Sequence, residues 1–252
     1  MSTADVKKIR LDILEMVYRA GEGHIPSAFS AVELLYVLYA NMKKDDVFFL
    51  SKGHASAAFY AVLSHFGRLS REELFTYCRY GSRLGGHPKR DGELVRNASG
   101  SLGHGFPMAA GYALSKKITK EQGRVFCIVG DGETNEGTVW ETAMYAEQLK
   151  LANLVCIIDN NNSQARAMTS INLKEKFEAF GWEAKEIDGH NLEEITNALF
   201  SQETSSARKP LCVVANTVKG KGIKALEQDH FAWHHRAPTE EEFALFQKEL
   251  LQ

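Results

Sequence analysis

Apolar side chains in this chain recur with two different periods, and each change of period marks a new element. From about Asp5 to Arg19, Val6, Ile9, Ile13, Met16 and Val17 fall at the three-to-four-residue spacing of one helical face. Ser30 with Glu33 ahead of AVELLYVLYA, Ser70 with Glu73, and Thr239 with Glu242 each fit a capping box, in which a hydroxyl and a carboxylate satisfy two orphan backbone donors. They predict helix starts at those positions, the last opening a final helix at about Glu240. By contrast, VFFL (47–50), RVFCIVG (124–130), NLVCIID (153–159) and PLCVVANTV (210–218) are short apolar runs rich in β-branched residues and read as buried strands. Near-continuous apolarity suits a parallel sheet covered on both faces. Between the second and third run, GTVWETAMYAEQLKL is amphipathic and of helical length, so this region reads as a βαβ unit.

The expected fold is therefore α/β, a mostly parallel central sheet with helices on both faces, in a single domain over 1–252. With 252 residues, 44% hydrophobic and 25% charged, the chain has enough material for one sizeable core. A net charge of -2 and a pI near 6.5 give no basic face for nucleic acid. The opening MSTADVKKIR is polar and no apolar run reaches roughly 18 residues, so we expect no signal peptide, no membrane span and a cytoplasmic location. Cys78, Cys127, Cys156 and Cys212 are scattered without a C-x-x-C pair and read as reduced and structural.

Candidate chemistry concentrates where the strand runs end. Asp131 follows VFCIV directly, between Gly130 and Gly132, so its carboxylate should emerge at the carboxyl end of a strand, where α/β folds bind ligands. The flanking glycines permit a tight turn, and a helix beginning near Glu136 would aim its amides at an anion. One carboxylate is too few ligands for a hard divalent cation, and the neighbouring run ends in IIDNNNS, where the amide oxygen of Asn161 can add another. Gly-Asp-Gly alone is usually a turn, and Asn-Asn alone a strand exit. Their pairing after two strands of one βαβ unit favours a metal that clamps a diphosphate.

These residues, GDGETNEGTVWETAMYAEQLKLANLVCIIDNN, resemble the diphosphate motif of thiamine diphosphate (ThDP) enzymes, and within them the chain resembles transketolase. The histidine contexts carry the second resemblance: His24 in GEGH, His54 in LSKGH, His87 in GSRLGGHP, then SGSLGHG, and a histidine before Ala-Pro in AWHHRAP. The resemblance implies a ThDP-binding fold, with Asp131, Asn161 and the Ser163 carbonyl holding Mg2+ (or Ca2+ or Mn2+). It sets Gly132 and Glu133 beside the diphosphate, His54 reaching that diphosphate, and Gly100, Ser101, Leu102 and Gly103 around the aminopyrimidine. It makes His24, His87 and one of His234 and His235 the catalytic imidazoles, and Glu136 part of a network linking paired sites. Imidazoles titrating near neutrality suit proton transfer at sugar hydroxyls.

The segment IPSAFS after His24 is poorer in glycine than the family pattern, and two adjacent histidines stand where many transketolases have His-Gly. Nothing corresponds to the pyrimidine-binding half, so the resemblance is to the amino-terminal subunit of a split transketolase. It implies ketol transfer between sugar phosphates, a carboxyl-terminal partner and a heterotetramer. The alpha chain of a 2-oxo acid dehydrogenase shares the diphosphate motif but does not need this histidine set. A non-catalytic partner would not need the intact metal motif. His65, His104 and His230 read as ordinary polar positions and His190, in DGHN, as fixing a turn. Arg83 and Lys89 are open between a sugar-phosphate pocket and solvent, and the KGKG at 219–222 between a mobile loop over the cofactor and lysines that face water.

Overall fold

The computed structural model describes residues 1–92, 94–166, 168, 172–201, 208–229 and 231–252. Its centre is a five-stranded sheet of β1 (Val47–Leu50), β2 (Val125–Gly130), β3 (Leu154–Asn160), β4 (Glu183–Asp188) and β5 (Leu211–Asn216), in the order β1-β2-β3-β5-β4. Every pairing is parallel. Successive side chains of a strand face opposite ways, and here both ways lead into protein. Phe48, Leu50, Phe126, Ile128, Val155, Ile157 and Val213 enter one core, while Phe49, Cys127, Val129, Cys156, Ile158 and Val214 enter the other. That double burial explains the unbroken apolar runs.

Helices α1 (Thr3–Ala20), α2 (Ile25–Ser30), α3 (Val32–Asn41), α4 (Ser56–His65) and α5 (Arg71–Leu74) precede β2, as does α6 (Gly105–Thr119). Helix α7 (Gly137–Gln148) joins β2 to β3, and α8 (Leu173–Ala179) and α9 (Leu192–Phe200) flank β4. Helices α10 (Lys224–Gln228) and α11 (Glu240–Leu251) follow β5. The first core is closed by α1 to α4, α9 and α11, the second by α6, α7 and α8. Among the described residues no helix is long and apolar enough to cross a membrane.

One expectation about an element needs correction, and one strand was not foreseen. Ser30 does not cap α3: it ends α2, and its hydroxyl donates to Asp159 Oδ2 at 2.7 Å, with Ser27 O 3.1 Å away. Glu33 is instead drawn to Arg10, whose guanidinium reaches both carboxylate oxygens at 2.8 Å. A buried charge partner outweighs a local cap. Ser70 and Thr239 do cap their helices, with the full reciprocal box at Thr239 and Glu242. Strand β4, EAKEID, escapes the apolar reading because it is an edge strand, half exposed and laced with charge.

Candidate active site at the carboxyl edge of the sheet

Four parallel strands deliver their chain exits to the same edge. Strand β2 releases Asp131, which is only 2% exposed, into a short 3-10 turn, and β3 releases Asn161, 5% exposed. The two meet at Ser163: its hydroxyl donates to Asp131 Oδ1 at 3.1 Å and its backbone N–H to Asn161 Oδ1 at 3.1 Å. Asp131 also accepts from the Gly132 N–H at 2.9 Å, and Asn161 donates to Ser30 Oγ at 3.2 Å. The three residues predicted to ligate a metal are thus neighbours, Ser163 meeting the other two through its hydroxyl and N–H rather than through the predicted carbonyl. Among the described residues no group of three or more His, Cys, Asp or Glu converges on a metal position. A cation here would have a single charged protein ligand and would need oxygens from its own anion.

Beside it stand the imidazoles. The His24 ring lies 5.7 Å from His54, 5.8 Å from His87, 5.3 Å from His234 and 4.5 Å from His235, centroid to centroid. Three loops and the segment before α11 converge to make that cluster. Burial, helped by the charges of His235, His234, His87 and Lys219, holds His24 down at about 3. Burial also pushes His54 well below the usual imidazole value and lowers His87. These rings are therefore neutral at pH 7 and able to accept and donate hydrogen bonds. Both His234 and His235 reach His24, so the geometry retains both.

The glycine-rich loop is held by Glu133, whose carboxylate is 1% exposed. It accepts from Gly103 N at 2.8 Å, Gly130 N at 2.8 Å and Ser51 Oγ at 2.7 Å. Glu133 therefore pins the 100–103 loop to the exits of β1 and β2, with its oxygens engaged by this chain. Within that loop Gly100 and Gly103 take positive φ, Ser101 meets His104 Nδ1 at 3.1 Å, and the Leu102 side chain is 44% exposed beside them. Gly103 packs against Glu136, where a Cβ would lie 3.0 Å from the glutamate Cβ. Glu136, half-buried, is the N-terminal cap position of α7.

Several site residues are missed by the sequence reading. Lys52, 1% exposed, forms a salt bridge with Asp159, which is fully buried at the end of β3, and its ammonium donates to Ser27 O at 3.2 Å and Ser30 Oγ at 3.0 Å. Lys219 does not face water: it is 4% exposed, and its Nζ lies 3.3 Å from His234 Nδ1. Burial beside Lys52 brings the Lys219 ammonium down to about 8, against the pull of Asp131 and Asp159. The signal was position, since both lysines follow strand exits directly. Arg83 is engaged by Glu73 at 2.6 Å and Asp91 at 3.4 Å, while Lys89 is exposed. His65 packs on Tyr36 and Phe66, and His230 lies outside the described residues. Buried polar atoms without a partner gather around this edge: His24 Nδ1, Ser27 Oγ, Ser99 Oγ and Gln164 Nε2. A polar ligand would satisfy them.

Known proteins resemble this chain in sequence and in fold. A match to the family described as "Transketolase, thiamine diphosphate binding domain" covers residues 1–250. An apulose-4-phosphate transketolase subunit from Phocaeicola vulgatus is 34% identical over 94% of this chain and 89% of its own length. The 6-deoxy-6-sulfo-D-fructose transketolase subunit SqwG of a Clostridium species is 36% identical, with 92% and 90% covered. Human transketolase is 37% identical over 90% of this chain, which spans only 38% of that longer protein. The transketolase structure from Campylobacter jejuni superimposes with a TM-score of 0.88 at 28% identity, covering 99% of this chain and 43% of that one. Fold and family match together place the chain among α/β proteins of the ThDP-binding class. The chain belongs to the transketolase family and carries its thiamine diphosphate-binding domain.

Proposed function

We propose that this chain is the amino-terminal subunit of a split transketolase, holding the diphosphate of ThDP through a divalent cation, Mg2+ for preference, and acting in the cytoplasm with a carboxyl-terminal partner that supplies the pyrimidine-binding half. The observation that carries the reading is the meeting of Asp131 and Asn161 at Ser163, on adjacent strand ends, beside five clustered histidines. The orphaned Ser27 hydroxyl and Gln164 amide fit a polar guest, and the buried ammonium of Lys219 fits an anionic one.

When bound, the cofactor supplies the nucleophile and electron sink for cleaving a ketose next to its carbonyl and passing two carbons to an aldose. The chain's own work is different. Asp131 and the Asn161 and Ser163 oxygens would hold the cation, while the Lys219 ammonium offsets diphosphate charge and neutral His54 can donate a hydrogen bond to it. In this reading His87 and His234 or His235 take a proton from a donor hydroxyl and return one to the acceptor, and His24, held down at about 3 by burial, joins them as a hydrogen-bonding imidazole. Glu133 keeps the 100–103 loop closed against the sheet, and Glu136 beside it is positioned to join two copies of the site. Relatives of similar length that are themselves named as transketolase subunits support a two-chain assembly, which we write as a heterotetramer of two copies of each half.

The test is ketol transfer from a ketose phosphate to an aldose phosphate, assayed on this chain alone, on the partner alone and on the co-purified pair with ThDP and Mg2+. Turnover by the pair only is the expected result. Turnover by this chain without any partner would overturn the assignment.

A further inference from the structure

The loop that carries Lys219 into the site leaves β5 at Thr217, and one backbone contact at its root has an unusual acceptor. The Val218 N–H donates to His190 Nε2 at 2.8 Å. A peptide N–H can only donate, so Nε2 must be the bare nitrogen and the ring proton must sit on Nδ1. That nitrogen faces Glu33 Oε2 at 3.2 Å, a contact close in distance though bent from ideal hydrogen-bond geometry. Burial would raise the Glu33 pKa, yet the His190 contact and the Arg10 guanidinium leave it lowered, so the carboxylate is present to orient the ring. Arg10 grips both Glu33 oxygens at 2.8 Å and the Phe29 carbonyl at 3.2 Å. A relay thus runs from α1 through α3 to the turn after β4 and on to the root of the Lys219 loop, buried at Arg10 and Glu33 and open to solvent at Val218.

The turn that holds His190 is shaped for this contact. His190 N donates to Asp188 Oδ1 at 2.8 Å and Gly189 N to Asn216 O at 2.8 Å, fixing the turn to the end of β5. At Gly189 a Cβ would lie 2.4 Å from Thr217 Cγ2 and 3.1 Å from Asn216 O, so only glycine lets the turn sit this close. On the far side of Lys219, Gly220 N donates to Pro26 O at 3.0 Å, in the helix that follows His24. Lys219 therefore lies between two anchors, one on His190 and one on α2.

We propose that His190 is a positioning residue for the active site: held by Glu33 and Arg10 in the tautomer that accepts from Val218, it sets the loop that places Lys219 against the diphosphate. The proposal rests on the cofactor reading above for the role of Lys219, while the geometry of the loop is independent of it. His190 touches no reacting group and acts only through the backbone.

Two substitutions separate the relay from a general structural role. Gln at 190 reaches about as far as Nε2 and can still accept from Val218, whereas Asn reaches only the Nδ1 position, facing Glu33. Hydrogen–deuterium exchange of the full chain across residues 217–223 should quicken about fivefold for His190→Asn and stay near wild type for His190→Gln. In the co-purified pair, ThDP with Mg2+ should bind about fivefold more weakly for His190→Asn, with Gln restoring it. His190→Asn added to Lys219→Met should weaken binding no further, because both act through one ammonium. Equal exchange in wild type and His190→Asn, or independent losses in the double variant, would overturn the proposal. If the unmodified pair fails to bind ThDP, the cofactor reading falls, and the exchange contrast between Asn and Gln still decides the role of His190.

Discussion

Lys52→Met tests whether the floor of the site is held by charge. The side chains of Lys52 and Asp159 are 1% and 0% exposed, and their ion pair lies beneath the exits of β1 and β3. Methionine keeps the length and apolar stem of lysine, so packing changes little while the ammonium disappears. Asp159 would then keep hydroxyl donors, Ser30 Oγ at 2.7 Å and Thr217 Oγ1, and lose its direct ion-pair partner, leaving Lys219 as a cation that acts on it only through space. Breaking a buried pair from one side costs about 3–5 kcal/mol, because a desolvated charge is left uncompensated. For a chain of this size that is a fall in Tm of roughly 6–20 °C. Urea unfolding followed by circular dichroism at pH 7 measures it directly. Lys52→Met/Asp159→Asn removes the stranded charge and should recover about 1–3 kcal/mol. A loss below about 1 kcal/mol for the single variant, or no recovery in the double, would refute the reasoning.

Other expectations follow from single features of the edge. Burial holds His24 down at about 3, so the unfolded chain takes up a proton near 6.5 that the folded chain refuses. The associated stability is fully present above 6.5 and is lost as pH falls from there toward 3, in the same direction as for His54 and His87. Urea midpoints between pH 7 and 5 should fall, and fall less for His24→Phe; a flat or rising midpoint would count against neutral buried imidazoles. Because Lys219 titrates at about 8, its charge is present below that pH and lost above it. ThDP affinity of the pair should therefore weaken roughly tenfold from pH 7 to 9, and Lys219→Met should remove that dependence; an unchanged slope would contradict the role of the ammonium. At Gly105 a Cβ would lie 2.5 Å from the Ser51 Cα, a backbone atom that cannot step aside. Gly105→Ala should cost about 1–3 kcal/mol, and a melting temperature within a degree of wild type would show that α6 does not pack as tightly as described.

The buried strands were legible because both faces of the sheet are covered: β1, β2, β3 and β5 are all apolar runs, and Asp131 and Asn161 could be placed on neighbouring strand ends from spacing alone. Edge strand β4 was not, since none of its side chains is fully buried, two are exposed, and its EAKEID pattern resembles a loop. Residues whose role comes from contacts far along the chain were also hidden. Ser30 and Glu33 look like a local cap, and only the fold brings Asp159 to the one and Arg10 to the other. Lys52 and Lys219 look like solvated lysines until the strand exits close over them. The histidines were recognisable from their glycine-rich contexts, which mark loops, but their meeting within 4.5–6.0 Å needed three dimensions.

The central claim is that Asp131 and Asn161 form a cation site for a diphosphate. Equilibrium binding of ThDP to the co-purified pair, titrated with and without Mg2+, tests it most directly when repeated with Asp131→Asn. The account predicts metal-dependent binding by wild type and a loss of about a hundredfold or more in the variant, since the charged ligand assigned among the described residues is gone. Binding that ignores Mg2+, or an Asp131→Asn pair that retains ThDP at wild-type level, would contradict it.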